Sequence, residues 1–407
     1  MQKGARVRPQ HIDMNVNFNV KEKVDSIYPE IVKIRRQLHE NPELSQQEKE
    51  TSALVCKVLD EHGISYQSGI AGYGVVAQIG HGSRAVGIRA DMDALPVCEN
   101  TGLPYASKVE GVMHACGHDM HTAILLGTAM LLKELEPELD ARDSAVKLFF
   151  QPAEETIGGA KQLIEAGCME NPKVDKVIAL HIDPNYKAGT VVLKYGPMNA
   201  ATQEFEVTVN GKGCHGAHPE GGVDAIVMAS NIVTSVQTIS SRFNAPTTPV
   251  IVTIGKFQAG EAANVIAGTA KLKGTMRALE PEVMDSIRNK FTQIVDGICS
   301  AYGGSADIYW HNDGYPALIN SDSVCAIVES VARELYGDEA IAIMPEPSLG
   351  ADDFAYFAMA ADSCYFNIGV TPENEDSYPL HNEHLAPSEE AMKVGIAVEA
   401  CSVLRLL

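Results

Sequence analysis

The chain reads as an α/β protein. A larger domain carries a mixed sheet flanked by helices, and a smaller α+β domain of βαββαβ order, ferredoxin-like and lid-like, interrupts it. Three observations predict this. Short β-branched runs alternate with helical stretches as far as residue 198, a different order of elements occupies 199–312, and the first character returns from 313 to 407. Alternation of strand and helix indicates a sheet covered on both faces.

The elements follow in order. Residues 1–20 carry no apolar pattern and read as a flexible arm. Val24, Ile27, Ile31, Ile34 and Leu38 recur at helical spacing and form the buried stripe of a first helix. A second helix is expected to open at Ser45, with Glu48 completing a capping box, and to end at Gly63. Strands are expected at 74–79, 85–90, 145–150 and 176–182, with helices at 122–135 and 158–167. In the inserted segment, 202–213 alternates like a half-buried strand and 224–243 is amphipathic. Strands at 249–257 and 268–279, a helix from Pro281 and a strand at 306–310 complete the split βαβ order. A helix near 321–337, a strand at 364–370 and a closing helix from Pro387 belong to the larger domain.

Composition narrows the function. The 407 residues suggest two or three domains at about 150 residues each. With 45 % apolar and 21 % charged residues, the chain has enough to bury a core. A formal net charge of −21 repels nucleic acid and anionic membranes, so neither is an expected partner. Nine scattered cysteines suit a reducing cytoplasm rather than a disulfide scaffold. The N-terminal stretch lacks the apolar core of a secretory signal, and no run reaches the roughly 18 apolar residues of a membrane span.

Chemistry concentrates in five places. HACGHDMH (114–121) places Cys116 and His118 two apart before a helix, where thiolate and imidazole can share a divalent metal. His121, one turn on, can either join them or pack. QPAEE (151–155) follows an apolar strand, at the edge where open α/β sheets bind ligands. Adjacent carboxylates diverge, so one of Glu154 and Glu155 can bind metal while the other serves as general base. Asp91 and Asp93 in RADMDALP (89–96) follow another strand and can orient ligands from behind. His181 ends the strand at 176–182, and LHNEH (380–384) offers His381 and His384. A lone His is more often a packed side chain than a ligand, and a Glu pair is more often solvated surface; five such groups at strand ends are rarely accidental. In the inserted domain, GKGCHGAHP (211–219) carries Cys214, His215 and His218, where a flexible surface turn is an equal reading. Asn264 and Arg277 would otherwise pass as ordinary strand-end residues, although Arg suits a substrate carboxylate.

These motifs resemble the aminoacylase/carboxypeptidase group of two-metal peptidases, most closely its amidohydrolase branch of hippurate hydrolases, auxin-conjugate hydrolases and N-acetyl-diaminopimelate deacetylases. The resemblance runs from about Ile34 (IRRQLHENPELSQQE) to the last helix through RADMDALP, MHACGHDMHTA, QPAEE, GKGCHGAHP, GTMRAL and PLHNE. It implies that Cys116, His118, Glu155, His181 and His381 hold two divalent ions per subunit, Zn²⁺ or Mn²⁺ first, with Co²⁺ or Ni²⁺ as alternatives. It implies that Glu154 is the general base, that His215 stabilises the oxyanion, and that Asn264 and Arg277 contact an N-acyl amino acid or dipeptide-like substrate. It also implies a homodimer formed through the lid. Three positions depart from the family pattern: Cys214 where Gly is frequent, Asp352 where Glu is commoner, and Ala267 where Pro is usual.

The expected reaction is amide hydrolysis, in which two metals about 3.5 Å apart lower the pKa of a shared water. Three rivals use the same residues. They are a cysteine hydrolase with Cys116 as nucleophile and His118 or His215 as base, a two-metal phosphoesterase, and a metal-stabilised binding protein. The acidic balance and the lack of a Gly-rich phosphate loop disfavour the second, and an uncommitted carboxylate at Glu154 disfavours the third.

Overall fold

The computed structural model describes residues 19–156, 158–311, 314–373 and 377–407. The expected N-terminal arm lies almost wholly outside the described residues, as does the expected boundary at 312–313.

Eight strands form one mixed sheet in the spatial order 65–70, 74–79, 144–151, 84–91, 174–187, 362–371, 191–193, 341–343. Its four central strands, 144–151 through 362–371, are mutually parallel. Parallel strands need both faces covered, and Ser144–Gln151 is buried at every position. On one face the helix His118–Glu134 has fifteen of its residues buried. That helix packs between Val20–Glu40 and Ala391–Leu406. A helix apolar all round belongs inside a core, and two glycines let it seat there. A Cβ on Gly127 would come 2.7 Å from Ile396 Cδ1, and one on Gly395 would come 2.9 Å from Ile124 Cδ1.

A second sheet of four antiparallel strands runs 250–259, 269–278, 201–210, 305–310. Numbered along the chain, that is the order 2-3-1-4, the split βαβ arrangement expected. The helices Ala225–Val236 and Pro281–Tyr302 cover one face, and Phe205, Ile232, Leu272 and Phe291 form an apolar core separate from that of the larger sheet. Helix 224–243 is shorter than expected: α-helix ends at Val236 and a π-helical turn takes Ile239–Phe243.

Two local expectations fail for tertiary reasons. The second helix begins at Lys49 without a side-chain cap. Ser45 Oγ instead donates to Asp93 Oδ2 at 2.6 Å, and Glu48 Oε1 accepts from the backbone N–H of Ala153 at 2.8 Å. The capping-box pair is diverted to hold two strand-end turns. His181 does not end its strand, which continues to Lys187. It stands beside the ends of its neighbours because Ala179 pairs Arg89 and Asp91 pairs Gln151. The short strands 191–193, 196–199, 318–320 and 341–343 are too brief to show a period in sequence.

Candidate metal centre

The carboxyl ends of strands 84–91 and 144–151, the middle of 174–187 and the start of helix His118–Glu134 meet at one place. The donor atoms of Cys116, His118 and His181 lie within 4.8 Å of one another, as do those of Cys116, Glu155 and His381. Cys116 belongs to both groups, so the five residues form two overlapping sets around one thiol.

The two buried imidazoles of the set, His118 and His181, are each aimed by a partner on the other nitrogen. His118 Nδ1 donates to Asp93, 2.9 Å from the carbonyl and 3.2 Å from Oδ1. His181 Nδ1 donates to the carbonyl of Ile182 at 2.7 Å, and its Nε2 lies 3.4 Å from Cys116 Sγ. Fixing Nδ1–H leaves the Nε2 lone pair directed at the cluster. His121 is the counterexample. Its Nδ1 donates to Asp91 Oδ1 at 2.6 Å and its Nε2 accepts from the backbone of Ile182 at 3.0 Å, so no lone pair remains for a metal. His384 donates to the carbonyl of Asn100 at 2.7 Å, away from the cluster.

The residues pass a test for a cation. Among the described residues, His118 Nε2 is buried without a hydrogen-bond partner and stands 4.0 Å from the buried Glu155 Oε1. Unpaired buried polar atoms are costly, and a shared cation would satisfy both. His381 Nε2 is 3.2 Å from the same carboxylate oxygen and half exposed. Its backbone holds a left-handed φ of 64°, with its N–H tied to the carbonyl of Ala115 at 2.7 Å.

The electrostatics point the same way. Burial alone would lower the His118 pKa, but Asp91 and then Asp93 outweigh it and raise it to about 10. An arriving cation must displace that proton. Burial, then Glu155 and Glu154, hold the Cys116 thiol well above its usual range. Burial pushes Glu154 well above the carboxylate range, and Asp352, Glu155, Asp353 and Asp93 push it further.

The Glu154–Glu155 turn is pinned from outside. Ala153 takes a left-handed φ of 56°, its N–H bonded to Glu48 as described. The N–H of Glu155 donates to Asp93 Oδ2 at 3.0 Å, and the Tyr315 hydroxyl donates to the carbonyl of Glu154. Glu155 reaches His118 and His381, while Glu154, 6 % exposed, lies beside Asp352 and Asp353 and keeps an oxygen within 4.8 Å of the donor atoms of His118 and Glu155.

Sequence reasoning missed Arg89. Its guanidinium, 1 % exposed, contacts Asp91 Oδ2 at 2.6 Å, Asp353 Oδ1 at 2.7 Å and Gln151 Oε1 at 2.8 Å. It also lies 3.3 Å from Asp352. The available signal was a charged residue inside the apolar run AVGIRA. Asp352, one of the departures from the family pattern, accepts from the Phe354 N–H at 2.7 Å and from the Tyr365 hydroxyl at 2.6 Å.

A cavity of about 750 Å³ opens over the cluster, between the two sheets. Cys116, Glu154, His181 and His381 line it from the larger sheet, and Thr202 and Arg277 from the smaller. Arg277 Nη1 donates to the carbonyl of Leu349 at 2.7 Å. His215 and Asn264 do not line this cavity. His215 is on the two-residue strand Cys214–His215, which pairs with Val265–Ile266 next to Asn264, and both residues are exposed. Cys214 Sγ donates to the carbonyl of His218 at 3.3 Å, and Ala267 is buried.

Sulfur, imidazole and carboxylate donors gathered at the strand ends of an α/β sheet, under a cavity with a buried uncommitted carboxyl, define a hydrolase of the metal-dependent class. The chain belongs to peptidase family M20/M25/M40, whose model matches residues 87–405. It is 40 % identical to the N-acetyl-L-cysteine deacetylase of Bacillus subtilis (strain 168), over 89 % of this chain and 84 % of that one. With IAA-amino acid hydrolase ILR1-like 4 of Arabidopsis thaliana it shares 36 % identity over 93 % and 86 %. The crystal structure of the Bacillus subtilis YXEP protein, a dinuclear metal binding peptidase from the M20 family, superposes with a TM-score of 0.81. That match has 32 % identity and covers 94 % of this chain and 99 % of that one. Among the described residues, no helix is long and apolar enough to cross a membrane.

Proposed function

We propose that the protein is a dinuclear metal-dependent amidohydrolase that cleaves the amide bond of N-acyl amino acids or dipeptide-like amides. The observation that carries this reading is the buried His118 Nε2, without a hydrogen-bond partner and facing Glu155 Oε1 inside a set completed by Cys116, His181 and His381. Those five residues hold the two ions. When bound, the ions supply Lewis acidity to the scissile carbonyl and to a water molecule. Zn²⁺ or Mn²⁺ suits one thiolate among imidazoles and a carboxylate, with Co²⁺ and Ni²⁺ as alternatives.

The chain's own residues do the rest. Glu154 takes a proton from the water and delivers it to the leaving nitrogen. Its elevated pKa suits a group that must hold that proton between the two transfers. Asp93 keeps His118 in the Nδ1–H tautomer. Arg277, already in the cavity wall, takes the substrate carboxylate through the guanidinium nitrogens not bonded to Leu349. Segment 199–312 acts as a lid and dimerisation domain between the catalytic parts 21–198 and 313–407. In the homodimer, His215 and Asn264 reach the site of the partner subunit, which accounts for their distance from the cavity of their own chain. His215 there stabilises the oxyanion. Such a donor is worth about 3 kcal/mol. Nine free cysteines suit a cytoplasmic location.

The cysteine-nucleophile alternative is opposed by charge. Burial holds the Cys116 thiol high and the His181 imidazole low, the reverse of a thiolate–imidazolium pair. Metal analysis of the purified protein, with a panel of N-acetyl, N-benzoyl and dipeptide amides, tests the proposal. Two ions per chain and amide turnover abolished by chelator are expected. Glu154→Gln should keep both ions and lose nearly all turnover; near-normal rates in that variant would remove Glu154 as the base.

A further inference from the structure

We propose that Tyr315 is a positioning residue that holds Glu154 in place from the junction between the two sheets. The inference rests on Glu154 acting as the base, and five contacts carry it.

The Tyr315 hydroxyl donates to the backbone carbonyl of Glu154. Its ring closes against the same turn: a Cβ on Gly158 would come 3.0 Å from Tyr315 Cε1. Its backbone is locked to the other connection between the sheets. The N–H of Tyr315 donates to Thr202 Oγ1 at 3.1 Å, and the N–H of Thr202 donates to the carbonyl of Tyr315 at 2.8 Å. Gly314 completes the clasp. A Cβ there would meet the carbonyl oxygen of Thr202 at 2.2 Å, so the two crossing segments approach as only glycine permits. Thr202 is also the second residue of strand 201–210 in the smaller sheet. One side chain therefore links the place where the chain passes between the sheets to the peptide carrying the proposed base.

The phenol is suited to this role as a hydrogen-bond donor. Burial, then Asp353, Glu154 and Asp352, push it far above the usual tyrosine range, so it remains a donor. Its bond goes to the main chain of Glu154, leaving the carboxylate free for chemistry. The Ala153 N–H and the Glu155 N–H are anchored by Glu48, ahead of helix Lys49–Glu61, and Asp93, just past strand 84–91, both on the side of the larger sheet. Tyr315 adds an anchor that also reports where the smaller sheet stands.

Tyr315→Phe removes the hydroxyl and keeps the ring. The expected result is a kcat lower by about tenfold to a hundredfold, because a misplaced catalytic group costs up to about that much. KM should stay within about twofold, and metal content and Tm should stay near those of the parent. Thr202→Val, which removes the bond to the Tyr315 N–H, should lower kcat in the same direction by less. Parent, Glu154→Gln and Tyr315→Phe are measured side by side on a substrate the parent hydrolyses. If Glu154→Gln is inactive and Tyr315→Phe turns over at the parental rate, the positioning role is overturned while the base assignment stands. If Glu154→Gln keeps its rate, both are overturned. A Tyr315→Phe loss that tracks lost metal or lowered Tm also overturns the proposal, because the bond would then be structural only.

Discussion

Around the eight-stranded sheet, Arg35, Arg89, Asp91, Asp93, Asp119, Asp353 and Glu399 are each at most 1 % exposed. The core beneath the four-stranded sheet is apolar, and Gln203, 9 % exposed, is the one buried polar side chain among the described residues of 201–310. Both regions solve the same packing problem, yet only one accepts the cost of burying charge. Buried ionic groups rarely stabilise a fold against an apolar alternative, so their concentration behind one cavity marks where the molecule needs fixed directions. Arg89 ties Asp91 and Asp353 together, Asp91 holds His121, and Asp93 aims His118 and receives the Glu155 N–H. Behind them Arg35 Nε lies 2.8 Å from Asp119 Oδ2, which also accepts from His39 at 2.7 Å. The smaller sheet carries no such scaffold, and the polar residues expected to act from it, His215 and Asn264, stand exposed.

Perturbing each region should therefore give different kinds of effect. Arg89→Met should be the most severe. It leaves the buried carboxylates around Asp91 and Asp353 unpaired and should cost about 3–5 kcal/mol in denaturant unfolding; a loss below about 1 kcal/mol would show that they do not depend on the arginine. Glu399→Gln tests a buried acid away from the site. Burial raises the Glu399 pKa from 4.5 to about 8, with the Thr128 hydroxyl donating to it at 2.8 Å. A carboxyl raised in the folded state contributes stability that is complete below pH 4.5 and lost as pH climbs through 8. The glutamine variant should therefore outlast the parent above pH 8 by up to about 5 kcal/mol, and match it at low pH. An equal difference in Tm at both ends would assign the titration elsewhere.

Asp93→Asn should weaken metal binding by about 10- to 100-fold in a competition assay with little change in fold. Unchanged affinity would show that the Ile182-anchored His181 and the other donors suffice. The smallest effect belongs to the smaller sheet. Ile232→Val in its core should cost about 1 kcal/mol and leave metal content untouched; coupled loss of metal would mean that the two regions are not independent in stability.

Much of this was legible in sequence because the signals are local. HACGHDMH opens a helix and QPAEE follows a strand, so the backbone alone delivers Cys116, His118, Glu154 and Glu155 to one edge. The βαββαβ order of 201–310 follows from clean alternation and one amphipathic face per helix. The failures are also physical. Ser45 and Glu48 have capping-box spacing, but Asp93 and Ala153, distant in the chain, compete for the same atoms and win. Arg89 was passed over because its three carboxylate neighbours come from residues 91, 352 and 353.

From residue order alone came the two sheets and the strand-edge position of the candidate donors, since periodicity and turn chemistry act over a few residues; the choice of five among those donors came from the family resemblance. Which histidines keep Nε2 open to a metal was decided only by tertiary structure. His118 and His121 share a helix and a motif, and nothing within eight residues distinguishes them. The difference lies in Nε2, left bare in one and capped by the Ile182 N–H in the other, a contact between segments that neither segment's own sequence specifies.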